Sequence, residues 1–273
     1  MTYCLAIKTN DGLVFAADRR TSAGVDDVRS YTKLHRFELA ADRVFCLMSA
    51  GNLATTQAVL NRLNKDLHND KASESLLTVR HMYDAAEYLG RLIVDAQARV
   101  PGKSEEKGAS LETTMIIGGQ IAGEEPSLYL VYPLGNCITT GPEMPFLQIG
   151  ESKYGKPILD RIIRPEVSLG DATRCALVSL ESTMRSNISV GPPLDVVVYR
   201  RDSLTLDWQM QFDYSDPFYN QLQSEWTRQL EMAFHALPRF YWEQPEDVQR
   251  QEEMQLLQQQ MQQLTAKDSQ SPK

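Results

Sequence analysis

The sequence predicts an α+β protein built as a four-layer αββα sandwich, two stacked antiparallel sheets each covered on its outer face by a pair of helices. Two observations carry this expectation. Segments rich in apolar and β-favouring residues come in pairs joined by short turns, as hairpins do. The helical signals also come in pairs, so the first 211 residues read as β-hairpins, two helices, β-hairpins, two helices and a final β-hairpin. A doubly wound parallel sheet needs strand and helix to alternate singly, which they do not. Helix pairs laid on two stacked sheets satisfy the pattern.

Strands at 3–8 and 13–17 flank the turn Asn10-Asp11-Gly12. From Asp18-Arg19-Arg20 through Thr21, Gly24 and Asp26-Asp27 to Lys33 there is no regular period, and the small polar residues suit a loop. Strands at 36–39 and 44–49 follow, with Ala41-Asp42 between them. The second runs into Gly51, which ends it, and Asn52, which is placed to cap a helix over 53–67. That helix sets Leu53, Leu60, Leu63 and Leu67 on one face, and a second over 75–98 repeats apolar residues at spacings of three and four. After a polar, glycine-bearing connection at 101–108 come strands at 113–117 and 128–132 and a short edge strand at 137–140. Helices over 152–163 and 171–184 precede the last strands, 195–200 and 205–211.

Residues 212–273 form a separate extension. Phe218, Leu222, Trp226, Leu230, Phe234 and Leu237 make an aromatic-rich stripe over 216–241, interrupted by Pro238 and Pro245. In the Gln-rich end, Met254, Leu257, Met261 and Leu264 recur at helical-seam spacing. Two readings fit this tail, a solvated helix with a weak apolar face or an arm packing on a neighbouring subunit. The amount of aromatic area favours the arm.

The net charge of −8 argues against nucleic acid or an anionic membrane as partner. No apolar run has the length of a membrane span, and the start lacks a basic segment followed by an apolar one. Cys4, Cys46, Cys137 and Cys175 stand singly in apolar surroundings, as buried reduced thiols do. The composition is that of a cytoplasmic protein. His35, His68, His81 and His235 are too dispersed to form a metal-ligand set, and no phosphate-binding glycine loop occurs, so no cofactor is expected.

Thr2 directly follows Met1, and threonine is small enough to permit methionine trimming. Trimming would leave a hydroxyl and a free α-amine on one residue at the end of a strand, a nucleophile that carries its own base. A free α-amine titrates near ~7.7–8.0, which leaves a usable neutral fraction at pH 7. A tight hairpin returns Asp18 beside Thr2. A lysine near the hydroxyl would favour loss of its proton, with a carboxylate orienting that lysine. Taken singly, Asp18-Arg19-Arg20 also reads as a solvated charged turn and Lys33 as a surface lysine.

Taken together, Thr2, the strand pair ending in Ala17-Asp18-Arg19-Arg20, Lys33, and Ser49-Ala50-Gly51-Asn52 before a helix resemble a proteasome β-type subunit. The runs from Gly150 to Pro157, from Ser182 to Asn187 and from Val190 to Pro193 are similar to the bacterial Anbu (ancestral β-subunit) family. The resemblance implies an N-terminal nucleophile hydrolase fold, with Thr2 as nucleophile and its α-amine as base. It gives Asp18 and Lys33 the parts of the family aspartate and lysine, although Lys33 lies one position nearer the threonine than in most proteasome β-subunits. Gly51 would offer the oxyanion its backbone N–H, and Ser152 matches the family serine near the threonine amine. Glu181 and Ser186 stand where the family has an aspartate and a serine.

The activity so implied is threonine-type peptidase cleavage of a peptide or unfolded protein within a homo-oligomer, with any ATPase or adaptor a separate protein. Two other readings stay open: a structural or interaction particle with a vestigial site, and a narrow-specificity amidohydrolase.

Overall fold

The structure, a computed structural model, describes residues 2–22, 28–99, 110–243, 250 and 254–258. Two five-stranded antiparallel sheets form its centre. The first contains β1 (Tyr3–Thr9), β2 (Gly12–Asp18), β10 (Phe146–Gly150), β11 (Leu194–Arg200) and β12 (Trp208–Phe212), in the order β10-β1-β2-β11-β12. The second contains β5 (Leu34–Leu39), β6 (Arg43–Gly51), β7 (Thr113–Ile121), β8 (Ser127–Val131) and β9 (Cys137–Thr139), in chain order. The expected sandwich is therefore the observed one.

Strand parity builds the layers, because successive side chains point to opposite faces. Along β1 and β2, Cys4, Ala6, Phe15 and Ala17 pack against Val44, Cys46, Met48 and Ile116 of the second sheet. Their neighbours Leu5, Ile7, Val14 and Ala16 face the other way, toward α3 (Ser152–Ile162) and α4 (Leu169–Ser186). On the far side, Phe45, Leu47, Met115 and Ile117 meet α1 (Leu53–Leu67) and α2 (Met82–Ala98). β1 and β2 are buried along nearly their whole length because both of their faces are covered.

The helix over 53–67 is observed with those limits, and Asn52 caps it by accepting from the Thr55 N–H at 3.1 Å. The second helix begins at Met82 rather than 75. Residues 75–78 form a turn in which Ser75 N–H donates to Thr78 Oγ1, and Leu76 and Val79 reach the core from non-helical backbone. Arg20–Ser22 and Val28–Ser30 pair as a small hairpin, β3 and β4, inside the stretch expected to be all loop. β10 was not anticipated, since five residues between Pro145 and the Glu151 turn carry little periodicity. It pairs with β1 from Tyr3↔Gly150 to Ile7↔Phe146. The last strand starts at Trp208 rather than 205, because Thr205 Oγ1 bonds Asp207 in a local turn. Cys4, Cys46 and Cys175 are buried free thiols, while Cys137 on edge strand β9 is only half-buried.

The chain divides into compact units Met1–Ser224 and Glu225–Lys273, with α5 (Pro217–His235) contributing to both. In the second unit the Phe240 and Trp242 rings stack at 4.3 Å, and Phe234, Leu237, Phe240, Tyr241 and Trp242 are exposed. Met254 and Leu257 of the predicted seam are helical and exposed. Met261 and Leu264, like the connection at 101–108, lie outside the described residues.

Candidate active site

Thr2 immediately precedes β1, and β1 is held on both sides by β2 and β10. The threonine carbonyl accepts a hydrogen bond from Glu151 N–H at 2.8 Å. Gly150 makes this approach possible. Its φ is +82°, and a Cβ there would stand 1.8 Å from the Thr2 carbonyl oxygen. On the other side, Tyr3 N–H donates to Asp18 Oδ1 at 3.0 Å. The Tyr3 hydroxyl, buried against α4, shares a hydrogen bond with Ser179 Oγ at 2.7 Å and accepts from Gln148 Nε2. The start of β1 is thus fixed through backbone and side chain together.

Asp18 ends β2 and is fully buried; Lys33, 6% exposed, reaches it from the position just before β5. Lys33 Nζ lies 2.7 Å from Asp18 Oδ1 and donates to the Arg20 carbonyl at 2.6 Å. Burial pushes the Asp18 carboxyl up, against the Lys33 ammonium and the Tyr3 and Gly191 amides, which favour its ionised form. An ammonium so held has its orientation fixed and presents positive charge to any neighbouring hydroxyl.

A cavity of about 390 Å³ brings the elements together. Thr2, Lys33, Ser49, Gly51 and His35 line it, with Thr21, Tyr31 and Thr32 from the β3–β4 side and Gln57 and Leu60 from α1. Gly51, at φ +121°, closes β6 against the Glu112 carbonyl, where a Cβ would stand 2.4 Å away. It also lines a second depression, with Asn52, Glu112, Gln148 and Gly150. The backbone at Gly51 is therefore accessible from both sides.

The structure thus assembles Thr2, Asp18, Lys33 and Gly51. Ser152 is the first residue of α3, one position after the amide that binds the Thr2 carbonyl, and is half-buried. Glu181 and Ser186 are placed differently. Glu181 is buried on α4 in an ion pair with Arg185 one turn on. Ser186 is the exposed last residue of α4. Both lie on a helix that has not yet turned toward the site.

The turn comes after Ser186, in residues 187–193, to which the sequence reading gave no role. Gly191 N–H donates to Asp18 Oδ2 at 3.3 Å, and its carbonyl accepts from Arg20 N–H at the same distance. The Arg20 guanidinium lies against Gly191 and donates to the Ile188 carbonyl at 2.8 Å. Asn187 Oδ1 shapes the turn by accepting from Ser189 N–H at 3.0 Å. The visible signal was the Val190-Gly191-Pro192-Pro193 run, whose glycine leaves room for the Arg20 guanidinium, which a Cβ there would meet at 2.5 Å.

Two sheets between helix pairs, with a threonine at the head of the first strand beside a buried lysine–aspartate pair, define an N-terminal nucleophile hydrolase-like protein of the proteasome kind. The family described as "Proteasome subunit" matches residues 2–199, and the chain belongs to that family. Proteasome subunit beta 2 of Pyrobaculum calidifontis is 27% identical over 195 residues, 71% of this chain and 86% of that protein. Within the family the chain belongs with the Anbu (ancestral β-subunit) proteins. The Anbu complex of Pseudomonas aeruginosa, solved as a helical assembly, is 44% identical with a TM-score of 0.83, covering 88% of this chain and 98% of that one. Anbu from Yersinia bercovieri is 40% identical with a TM-score of 0.81, at the same coverage. Among the described residues no helix is long and apolar enough to cross a membrane.

Proposed function

We propose that this protein is a threonine-type peptidase that acts after removal of Met1, in a cytoplasmic homo-oligomer built by β-subunit-like packing. The observation that carries the reading is the buried Lys33–Asp18 pair opening onto the cavity that Thr2 and Gly51 also line. In this reading the Thr2 Oγ attacks a peptide carbonyl while its proton passes to the free α-amine, and the new C–O bond gives a tetrahedral oxyanion facing the Gly51 N–H. Collapse breaks the C–N bond, the amine returns the proton to the leaving nitrogen, and water then hydrolyses the ester. Lys33 stabilises the developing alkoxide, and Asp18 orients Lys33. Ser152 is assigned to the amine, Glu181 and Ser186 keep the places of the family aspartate and serine, and the Gly191 amide adds a donor to Asp18.

The substrate is a peptide or unfolded protein, and the tail from 212 serves subunit contacts. The P. aeruginosa relative's helical assembly supports an assembly of like subunits here. The test is intact-mass analysis before and after a peptide epoxyketone. Loss of the methionine mass followed by one stoichiometric adduct, absent in Thr2→Ala, is the expected result. A processed chain that never labels would leave a structural particle with a vestigial site.

A further inference from the structure

Glu151 enters the site through its backbone, and its side chain has no part in the proposed chemistry. It lies between β10 and α3, and its N–H donates to the Thr2 carbonyl. The side chain is 16% exposed, and Oε2 is buried with no hydrogen-bond partner among the described residues. Two ordinary partners fail it. Glu151 stands at the N-cap of α3 but makes no side-chain cap bond, so the first-turn amides do not take the carboxylate. Lys153 Nζ is 3.7 Å from Oε2, too far for a hydrogen bond, on a side chain that is 69% exposed. A buried carboxylate oxygen that lacks a donor is a loss the folded chain carries until a donor arrives.

We propose that Glu151 is the positioning residue of the Thr2 α-amine, and that its carboxylate receives the ammonium created when Met1 is removed. This rests on the threonine-peptidase reading and adds to it the group that sets the strength of the base. Placement follows from the ladder. β1 and β10 pair Cys4 with Ile149 and Tyr3 with Gly150, so the next step sets Glu151 opposite Thr2. Opposite residues of antiparallel strands hold their Cβ atoms about 4.5–5.5 Å apart, within the span of a glutamate side chain. Charge points the same way. With Met1 attached the Thr2 nitrogen is a neutral amide with one N–H, and removal of Met1 leaves a cation with three donors near the Lys33 ammonium. Asp18 is already committed, Oδ1 to Lys33 and Tyr3 and Oδ2 to Gly191. Glu151 supplies the second anion, so two cations face two carboxylates. The titratable groups at this corner are Glu151 and Lys153 from the β10–α3 turn, Asp18 from β2, and Lys33 and His35 from residues 33–35. In the reaction the amine takes the Thr2 Oγ proton and becomes an ammonium, and Glu151 stabilises that form without receiving the proton. The amine is thereby a stronger base, and it is free to act only at higher pH.

The test uses the full chain released at Thr2 by cleavage of an N-terminal fusion, so that the amine is free whatever the cell does to Met1. The ¹³C resonance of the Thr2 methyl, assigned by its loss in Thr2→Ala, reports the titration of the amine. Glu151→Gln should lower the midpoint by about one pH unit, a tenfold change in proton affinity. Glu151→Asp, whose carboxylate is set back by one methylene, should fall between the two, and it decides the matter if Glu151→Gln does not fold. A midpoint that stays at the wild-type value in the folded variants overturns the proposal. A second arm follows the rate of epoxyketone labelling against pH. In Glu151→Gln the rising limb should move to lower pH by the same interval while the plateau falls, a combination that loosened packing alone does not produce. Labelling with limb and midpoint both unmoved removes Glu151 from the site and leaves the peptidase reading intact. If nothing labels while the methyl midpoint still moves, the peptidase reading fails and the Glu151 assignment stands.

Discussion

The pair that carries the site is Lys33 and Asp18, and its worth shows when one partner is removed. Lys33→Met leaves Asp18 buried without its cation, and Asp18→Asn leaves Lys33 without its anion. Each should lower unfolding free energy by about 3–5 kcal/mol in urea titrations and abolish epoxyketone labelling. The double variant Lys33→Met/Asp18→Leu should regain much of the stability and none of the labelling. His35 gives a pH signature with a definite sign. Its folded pKa is lowered, so below the unfolded value of about 6.5 the unfolded chain binds the proton that the folded chain refuses. Stability should therefore fall as pH drops through 6.5, and the melting temperature of His35→Gln should fall less over that range. The charges acting on the ring are Asp195, which favours its protonation, and Arg36, which opposes it. At this scale the sequence was legible where a residue's role follows from its place in a hairpin, as for Asp18. It was not legible for Gly191 or Arg20, whose contacts join positions more than 160 residues apart.

Among the elements, those with strong local signals appeared in the sequence and those defined by a partner did not. α1 was readable to the residue because Gly51 and Asn52 mark its start and apolar spacing marks its length. Asn52→Ala should cost about 1 kcal/mol of unfolding free energy, since the Thr55 amide loses its acceptor. The Asn52 side chain also donates to the Ser110 carbonyl at 2.9 Å, so the same variant should increase hydrogen exchange at residues 110–112. β10 and the β3–β4 hairpin were missed for the converse reason. Their residues lack the alternation of longer strands, and they are strands because β1 and each other supply hydrogen-bond partners. The helix over 75–98 shows how periodicity misleads. Leu76 and Val79 keep helical spacing and are buried, yet a Ser75–Thr78 turn puts them there.

For the whole molecule, the αββα order was legible because hairpins and helix pairs leave few other ways to cover four apolar faces. The use of the second unit is a matter for the assembly. Its exposed rings, with Phe240 stacked on Trp242, give the proposed subunit contact a defined apolar element. Replacing both with serine in the full chain should reduce the sedimentation coefficient of the assembly while leaving the melting temperature of the first unit unchanged. The position of β1 bears on timing. The strand that presents Thr2 is flanked by β2, made at once, and by β10, made about 130 residues later, and Asp18 receives its last donor from Gly191. On the ribosome, β1 emerges long before the strand and loop that will enclose it. In the proposed peptidase, the surroundings of Thr2 are complete only when synthesis has passed Gly191. On that proposal a half-made chain stays chemically silent, and competence to react becomes a report that the whole domain has folded.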